Sequence, residues 1–185
     1  VCLTDQLYCS SPQCVFYETK SRQELERFAE CLAQQLAAAA KQYAAPPRPM
    51  DIQAKITWTH ELVRMESVLG TKKVLSDPHK HYGVLVDEEP QLQASPLFRN
   101  LWVMPVRRNE ILGLLRPHKG HLQTAGLSCS KLDYPEISQL LFAAGVNRVT
   151  PCGSMSAAYG GEPHDGMFAL RRYTRIVSKR IVVTG

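Results

Sequence analysis

The thiol at position 9 lies in the stretch Asp5-Gln6-Leu7-Tyr8-Cys9-Ser10-Ser11-Pro12-Gln13-Cys14-Val15-Phe16. This segment is small, polar and turn-prone, and it runs directly into an apolar, strand-like run. Its patterning does not bury Cys9. Ser10, Ser11 and Pro12 favour a tight turn, whose N–H groups at Cys9 or Ser10 can point at a substrate oxygen as it takes on negative charge. That is the setting of a nucleophilic cysteine. The competing reading is inert packing, because free cysteine is among the most buried residue types. The second polar pair of interest is His164-Asp165. His164 is a candidate acid or base on the substrate side, set against a hydrogen bond that merely orders its loop. Adjacent residues do not normally face each other, so a His–Asp relay within the pair is not expected. His60 falls on a predicted helix and reads as a packing or surface histidine. Gly160 and Gly161 read as a turn rather than a phosphate site.

The bulk properties set the class. With 185 residues, 44% hydrophobic and 21% charged, the chain can bury a real core and has the composition of an ordinary globule. No apolar run reaches membrane-spanning length, and no signal-peptide pattern opens the chain. It begins with Val, as expected of a processed product or a piece of a longer polypeptide. The six cysteines form no Cys-x-x-Cys pair and the histidines complete no zinc spacing, so no metal site is expected. The thiols read as reduced, in a cytoplasmic protein. The net charge is +5, densest at Arg171, Arg172, Arg175, Lys179 and Arg180. This basic tail reads as a solvated or subunit-facing surface, with a phosphate contact to a nucleotide or coenzyme A as the sharper alternative. Nucleic-acid binding is not expected, because no aromatic motif is interleaved with the charges.

The elements that must position these residues follow from periodicity. Cys14 to Glu18 reads as a strand. Ser21-Arg22-Gln23-Glu24 is a capping box, opening a long helix with Leu25, Phe28, Ala29, Leu32, Leu36, Ala40 and Tyr43 on one stripe. Pro46, Pro47 and Pro49 end it. A second helix is predicted from Asp51 to Leu69, with Ile52, Ile56, Leu62, Met65 and Leu69 inward and Gly70 as its stop. Strands are predicted at 73–75, at 82–86 and at 101–106, the last one central. A short helix over 110–115, a strand over 122–127, a capped helix from Asp133 to Ala144 and a strand over 147–150 complete the alternation. That order argues for an α/β fold with parallel strands. Residues 151–166 read as loop, followed by a short helix or turn and a terminal strand, Arg180-Ile181-Val182-Val183. The expected division is a catalytic domain over 1–150 and a loop with an oligomerisation tail over 151–185.

Five stretches, in order, carry a resemblance. Gln6, Cys9, Ser10, Ser11 and Pro12 form the first. Ser95-Pro96-Leu97-Phe98-Arg99-Asn100-Leu101-Trp102-Val103 is the second, and Leu122-Gln123-Thr124-Ala125-Gly126-Leu127 the third. Ala144-Gly145-Val146-Asn147-Arg148-Val149 with Gly153 is the fourth. The fifth runs from Tyr159-Gly160-Gly161 through His164-Asp165-Gly166 to Ala169-Leu170-Arg171-Arg172-Tyr173-Thr174. Together they resemble the C-terminal catalytic portion of the fatty acyl-CoA reductases of the bacterial luminescence (LuxC-type) family, within the aldehyde dehydrogenase superfamily. The resemblance implies a three-layer domain, a largely parallel sheet flanked by helices, and a C-terminal strand that joins another subunit.

It also implies a reaction. An acyl group would pass from a long-chain acyl-CoA or acyl carrier onto Cys9, and NADPH would reduce the acyl-cysteine to an aldehyde. Thiolate chemistry suits this, being nucleophilic near neutral pH and a good leaving group. Asp5 works against thiolate formation, so a positive partner is required. In the superfamily the nucleotide-binding half, the base glutamate and the oxyanion asparagine lie upstream of the reactive cysteine, and so outside this chain. The ribose-holding glutamate of Glu-x-Phe-Gly-Pro in oxidising members has no counterpart around Phe98-Arg99-Asn100. Two other readings stay open: an acylating or oxidising aldehyde dehydrogenase for another substrate class, and a non-catalytic oligomerisation domain.

Overall fold

Leu101-Trp102-Val103-Met104 has no polar residue to alternate with, the mark of a strand covered on both faces. In the structure, a computed structural model that describes residues 1–45 and 47–178, this run lies at the heart of the first sheet. The chain order is β1 (Cys14–Glu18), α1 (Arg22–Gln42), α2 (Met50–Glu66), β2 (Lys72–Ser76), β3 (Gly83–Asp87), β4 (Asn100–Val106), α3 (Ile111–Leu115), β5 (Thr124–Leu127), α4 (Tyr134–Ala144), β6 (Arg148–Pro151) and α5 (Ala169–Tyr173). Four strands form a sheet in the order β1-β4-β3-β2, in which β4 is parallel to both neighbours and β2 is an antiparallel edge. The expected alternation in the second half is present, but β5 and β6 pair, in parallel, as a separate sheet rather than extending the first.

Register decides which residues meet which helix. Val84 pairs with Leu101 and Val86 with Val103, so these four share one face. There they pack with Leu25, Ala29, Ala33 and Leu36 of α1. Leu85 and Trp102 pair on the other face, where with Met104 they meet Val63 of α2. A helix therefore covers each face of this sheet, in three layers. Each fully buried Leu or Val contributes about 1.5–3 kcal/mol.

A second apolar cluster, Leu115, Ile137, Leu141, Ala144 and Val146, joins α3 and α4 to the two-stranded sheet, and Phe16 of β1 packs against it. Arg108 fastens the same junction. It reaches Glu18 at 3.1 Å, Asp133 at 2.7 Å and Glu136 at 3.0 Å, and these carboxylates hold its pKa above the ordinary arginine value.

Two local expectations need correction. The Ser21 hydroxyl accepts from the Glu24 N–H at 3.3 Å, but Glu24 does not reach back to Ser21. Its carboxylate takes the Thr19 hydroxyl at 2.5 Å, and that hydroxyl accepts the Ser21 N–H at 3.0 Å, so the box closes through Thr19. On α2, Ile56 is buried as expected, but the stripe continues through His60 and Val63, leaving Leu62, Met65 and Leu69 exposed. Burial of His60 rotates the stripe, because a polar partner, Asn100, waits beneath it. The predicted terminal strand at 180–183 lies outside the described residues; up to residue 178 the tail after α5 has no strand, and Ile176 and Val177 are exposed. No helix among the described residues is long and apolar enough to cross a membrane.

His60 is fully buried, and its Nε2 lies 2.7 Å from Asn100 Oδ1. The Asn100 amide is oriented by its Nδ2, which donates to the Leu97 and Phe98 carbonyls at 2.7 and 3.1 Å. Oδ1 is therefore the acceptor, and His60 Nε2 carries the proton. Gly83 passes directly over this pair.

Two outcomes follow from this packing. A Cβ on Gly83 would stand 2.5 Å from His60 Nε2 and closer still to Asn100 Oδ1. Gly83→Ala should cost about 1–3 kcal/mol by overpacking, read as a lower urea midpoint. An unchanged midpoint would show that the pair moves aside freely. The second outcome concerns pH. Burial pushes the His60 pKa below its ordinary value of 6.5. The unfolded chain then takes up a proton that the folded chain refuses. Stability should be independent of His60 above about pH 6.5 and fall as the pH drops through that value. His60→Gln should flatten that acid limb of the urea midpoint; an equally steep limb in the variant would assign it to other groups.

Candidate active site around Cys9

Two tight turns in succession bring the chain to β1. The first, Thr4 to Leu7, is closed by the Leu7 N–H on the Thr4 carbonyl at 2.9 Å. The second, Tyr8 to Ser11, is closed by Ser11 on Tyr8 at 2.9 Å and has Cys9 and Ser10 at its centre. Cys9 is exposed and Ser10 half-buried. Neither of their N–H groups donates to another described residue.

Beneath this exposed turn lies a buried polar network. The Gln6 side chain is 2% exposed. Its Nε2 donates to the Pro12 carbonyl at 2.8 Å and the Asn100 carbonyl at 2.9 Å, and its Oε1 accepts the Asn100 N–H at 2.8 Å. Asp5 pairs with Arg99 Nε at 2.5 Å, and Arg99 also donates to the Cys2 carbonyl at 3.3 Å. The Asp5 carboxylate, expected to oppose a Cys9 thiolate, thus has its charge paired in the interior. The Asp5 carbonyl accepts the Phe98 N–H at 3.1 Å. Arg48 donates to the carbonyls of Lys80, His81 and Phe98 at 2.6, 2.9 and 3.1 Å.

This network holds a strained backbone. Asp5 and Gln6 have φ of 48° and 62°, and Leu97, Phe98 and Arg99 have 63°, 50° and 71°. Each such left-handed residue costs of order 1 kcal/mol and persists only where its surroundings over-determine it. Among the described residues, only Lys80 and Asp165 share this conformation without being glycine. The strain is thus concentrated in the two segments that clasp the Cys9 turn.

The other thiols have different settings. Burial pushes the pKa of Cys2, Cys14 and Cys152 up, and Cys14 Sγ donates to the Gln93 carbonyl at 3.0 Å. Cys31 is exposed on α1, and Cys129 in the loop after β5.

His164 sits elsewhere. It and Met167 exchange backbone hydrogen bonds at 3.0 and 3.1 Å, and the Gln123 amide holds Asp165 Oδ1 at 2.7 Å. Among the described residues no hydrogen bond or ion pair links this hairpin to the Cys9 turn. Sequence adjacency argues against a His–Asp contact, yet His164 Nδ1 lies 2.9 Å from Asp165 Oδ2. The left-handed backbone of Asp165, φ 52°, swings the two side chains together. Gly160 and Gly161 form the expected turn, closed by the Glu162 N–H on the Tyr159 carbonyl at 3.1 Å.

Sequence reasoning missed Arg99, Asn100 and His60 as parts of the site's foundation. The available signal was Arg99-Asn100 abutting the most apolar strand, where two polar side chains at a buried edge demand partners.

Comparison with known proteins bears on the family alone. No curated protein matches the chain. The family model described as acyl-CoA reductase (LuxC) matches residues 1–176, which include the Cys9 turn, its clasp and both sheets. The chain belongs to the acyl-CoA reductase (LuxC) family.

Proposed function

We propose that this chain carries the acyl-accepting part of a fatty acyl reductase, with Cys9 as the nucleophile. The observation that carries the reading is the exposed turn at Cys9, seated on a buried and strained clasp. In the acyl-transfer step the Cys9 thiolate attacks the thioester carbonyl of a long-chain acyl-CoA or acyl carrier. A new C–S bond forms, the bond to the donor sulfur breaks, and the donor leaves as a thiolate that takes up a proton. The N–H groups of Cys9 and Ser10 face the oxyanion formed in between, each such donor being worth roughly 3 kcal/mol.

Reduction of the acyl-cysteine to an aldehyde requires a hydride donor, which this reading assigns to NADPH. The first strand-to-helix turn makes no cradle for its phosphates. The turn from β1 into α1 is Thr19-Lys20-Ser21, without glycine, and the helix start is already capped by Thr19, Ser21 and Glu24. The acyl-transfer half-reaction is therefore the part that this chain's residues support. His164 is kept as a candidate acid or base only if substrate binding brings its hairpin to the Cys9 turn.

The reading includes a cytoplasmic enzyme that associates with itself through its C-terminal segment. The exposed Ile176 and Val177 support that association. Deleting residues 176–185 should lower the sedimenting mass of the oligomer and leave the Trp102 fluorescence of the core unchanged. An oligomer of the same size after truncation would remove the segment from the interface.

Cys9→Ala should abolish labelling by radiolabelled palmitoyl-CoA while leaving the unfolding free energy from urea titration within about 0.5 kcal/mol, because the side chain is exposed. Label retained at full stoichiometry in that variant would place the acyl group on another residue and sink the assignment.

A further inference from the structure

Between Gln6 and Pro12 the chain makes a closed ring. Gln6 Nε2 reaches forward to the Pro12 carbonyl at 2.8 Å, spanning the five residues that carry the thiol. The same nitrogen and its partner Oε1 grip both backbone groups of Asn100, the first residue of β4. Within the ring the restraint is slight: one hydrogen bond joins Ser11 to Tyr8, another ties Leu7 back to Thr4, and Leu7, Tyr8 and Cys9 are all exposed. The location of Cys9 relative to the sheet is thus set at the ring's two ends, which one carboxamide joins to each other and to β4, while Asp5 on Arg99 and Phe98 and the Gln13 carbonyl on the Trp102 N–H hold the flanking chain. That side chain uses both of its N–H donors and its oxygen, is buried, and belongs to a residue held at φ 62°.

We infer that Gln6 is a positioning residue, whose carboxamide clasps the Cys9 turn to the start of β4 and so sets the angle at which the thiol meets an acyl carbonyl. This rests on the reading of Cys9 as the acyl acceptor. It adds a separate demand, since a thiol can be reactive without being aimed. Attack on a thioester requires approach along a defined direction, with the oxyanion falling on the turn N–H groups. Alkylation by a small electrophile requires only exposure and ionisation. Misplacement by about 1 Å can lower an oriented reaction up to a hundredfold.

The test compares two rates at the same sulfur by mass spectrometry of the Cys9 peptide: acylation by palmitoyl-CoA and alkylation by iodoacetamide, each across pH. Gln6→Met keeps the volume and removes all three hydrogen bonds. The double variant Leu7→Gly, Ser11→Gly keeps the clasp but slackens the ring, at positions outside the buried network, and so remains informative if Gln6→Met fails to fold. In a folded variant the ratio of acylation to alkylation should fall at least about tenfold, with the pH midpoint of alkylation unmoved. A merely structural Gln6 would lower the melting temperature and leave that ratio alone. A ratio within about twofold of wild type in either folded variant overturns the inference while the nucleophile assignment stands. Wild-type chain whose Cys9 takes iodoacetamide but no acyl group overturns the assignment itself, and the inference with it.

Discussion

The exchange of hydrogen bonds between the Gln6 carboxamide and the backbone of Asn100 is the constraint on which the rest depends. It crosses 94 residues of sequence, and it is buried. In that setting each bond counts for more than its net value, because losing one partner strands the other without water. Asn100 then passes the constraint outward. Its own side chain holds the Leu97 and Phe98 carbonyls and accepts from His60, so β4, α2 and the left-handed segment 97–99 are located by one residue. Gly83 is the corollary: its backbone alone can pass so close to that contact.

The strain belongs to the same account. Five left-handed residues flank the Cys9 turn on two segments far apart in sequence. An isolated peptide would not adopt them. The Asp5–Arg99 pair, the Arg48 fork on three carbonyls and the Gln6 clasp hold them there, at the start of a sheet whose helix-covered faces supply the stability. The result is a rigid base under an exposed thiol, the arrangement an acyl acceptor needs if its attack is to be directed.

The His164 hairpin shows a different limit of local reasoning. Alternation of side chains along an extended chain argues against contact between neighbours. A single left-handed residue removes that alternation, and Asp165 is one. Arg148 in turn ties the loop that leads to this hairpin onto β6, through Glu162 at 2.6 Å and the Met155 carbonyl at 2.7 Å.

What the sequence determined by itself was the local and the periodic. Cys14–Glu18 as a strand, the Ser21 start of α1, Leu101–Val106 as the central strand, Gly145 as the end of α4 and the turn at Cys9 were all legible, because near neighbours and burial on one face decide them. Tertiary structure decided the separation of β5-β6 into its own sheet, the rotation of α2 that buries His60, and every partner of Gln6, Asp5, Arg99 and Asn100. The reason is physical. A buried polar side chain announces only that it must be satisfied, while the partner that satisfies it is chosen by packing between segments that meet only in the fold.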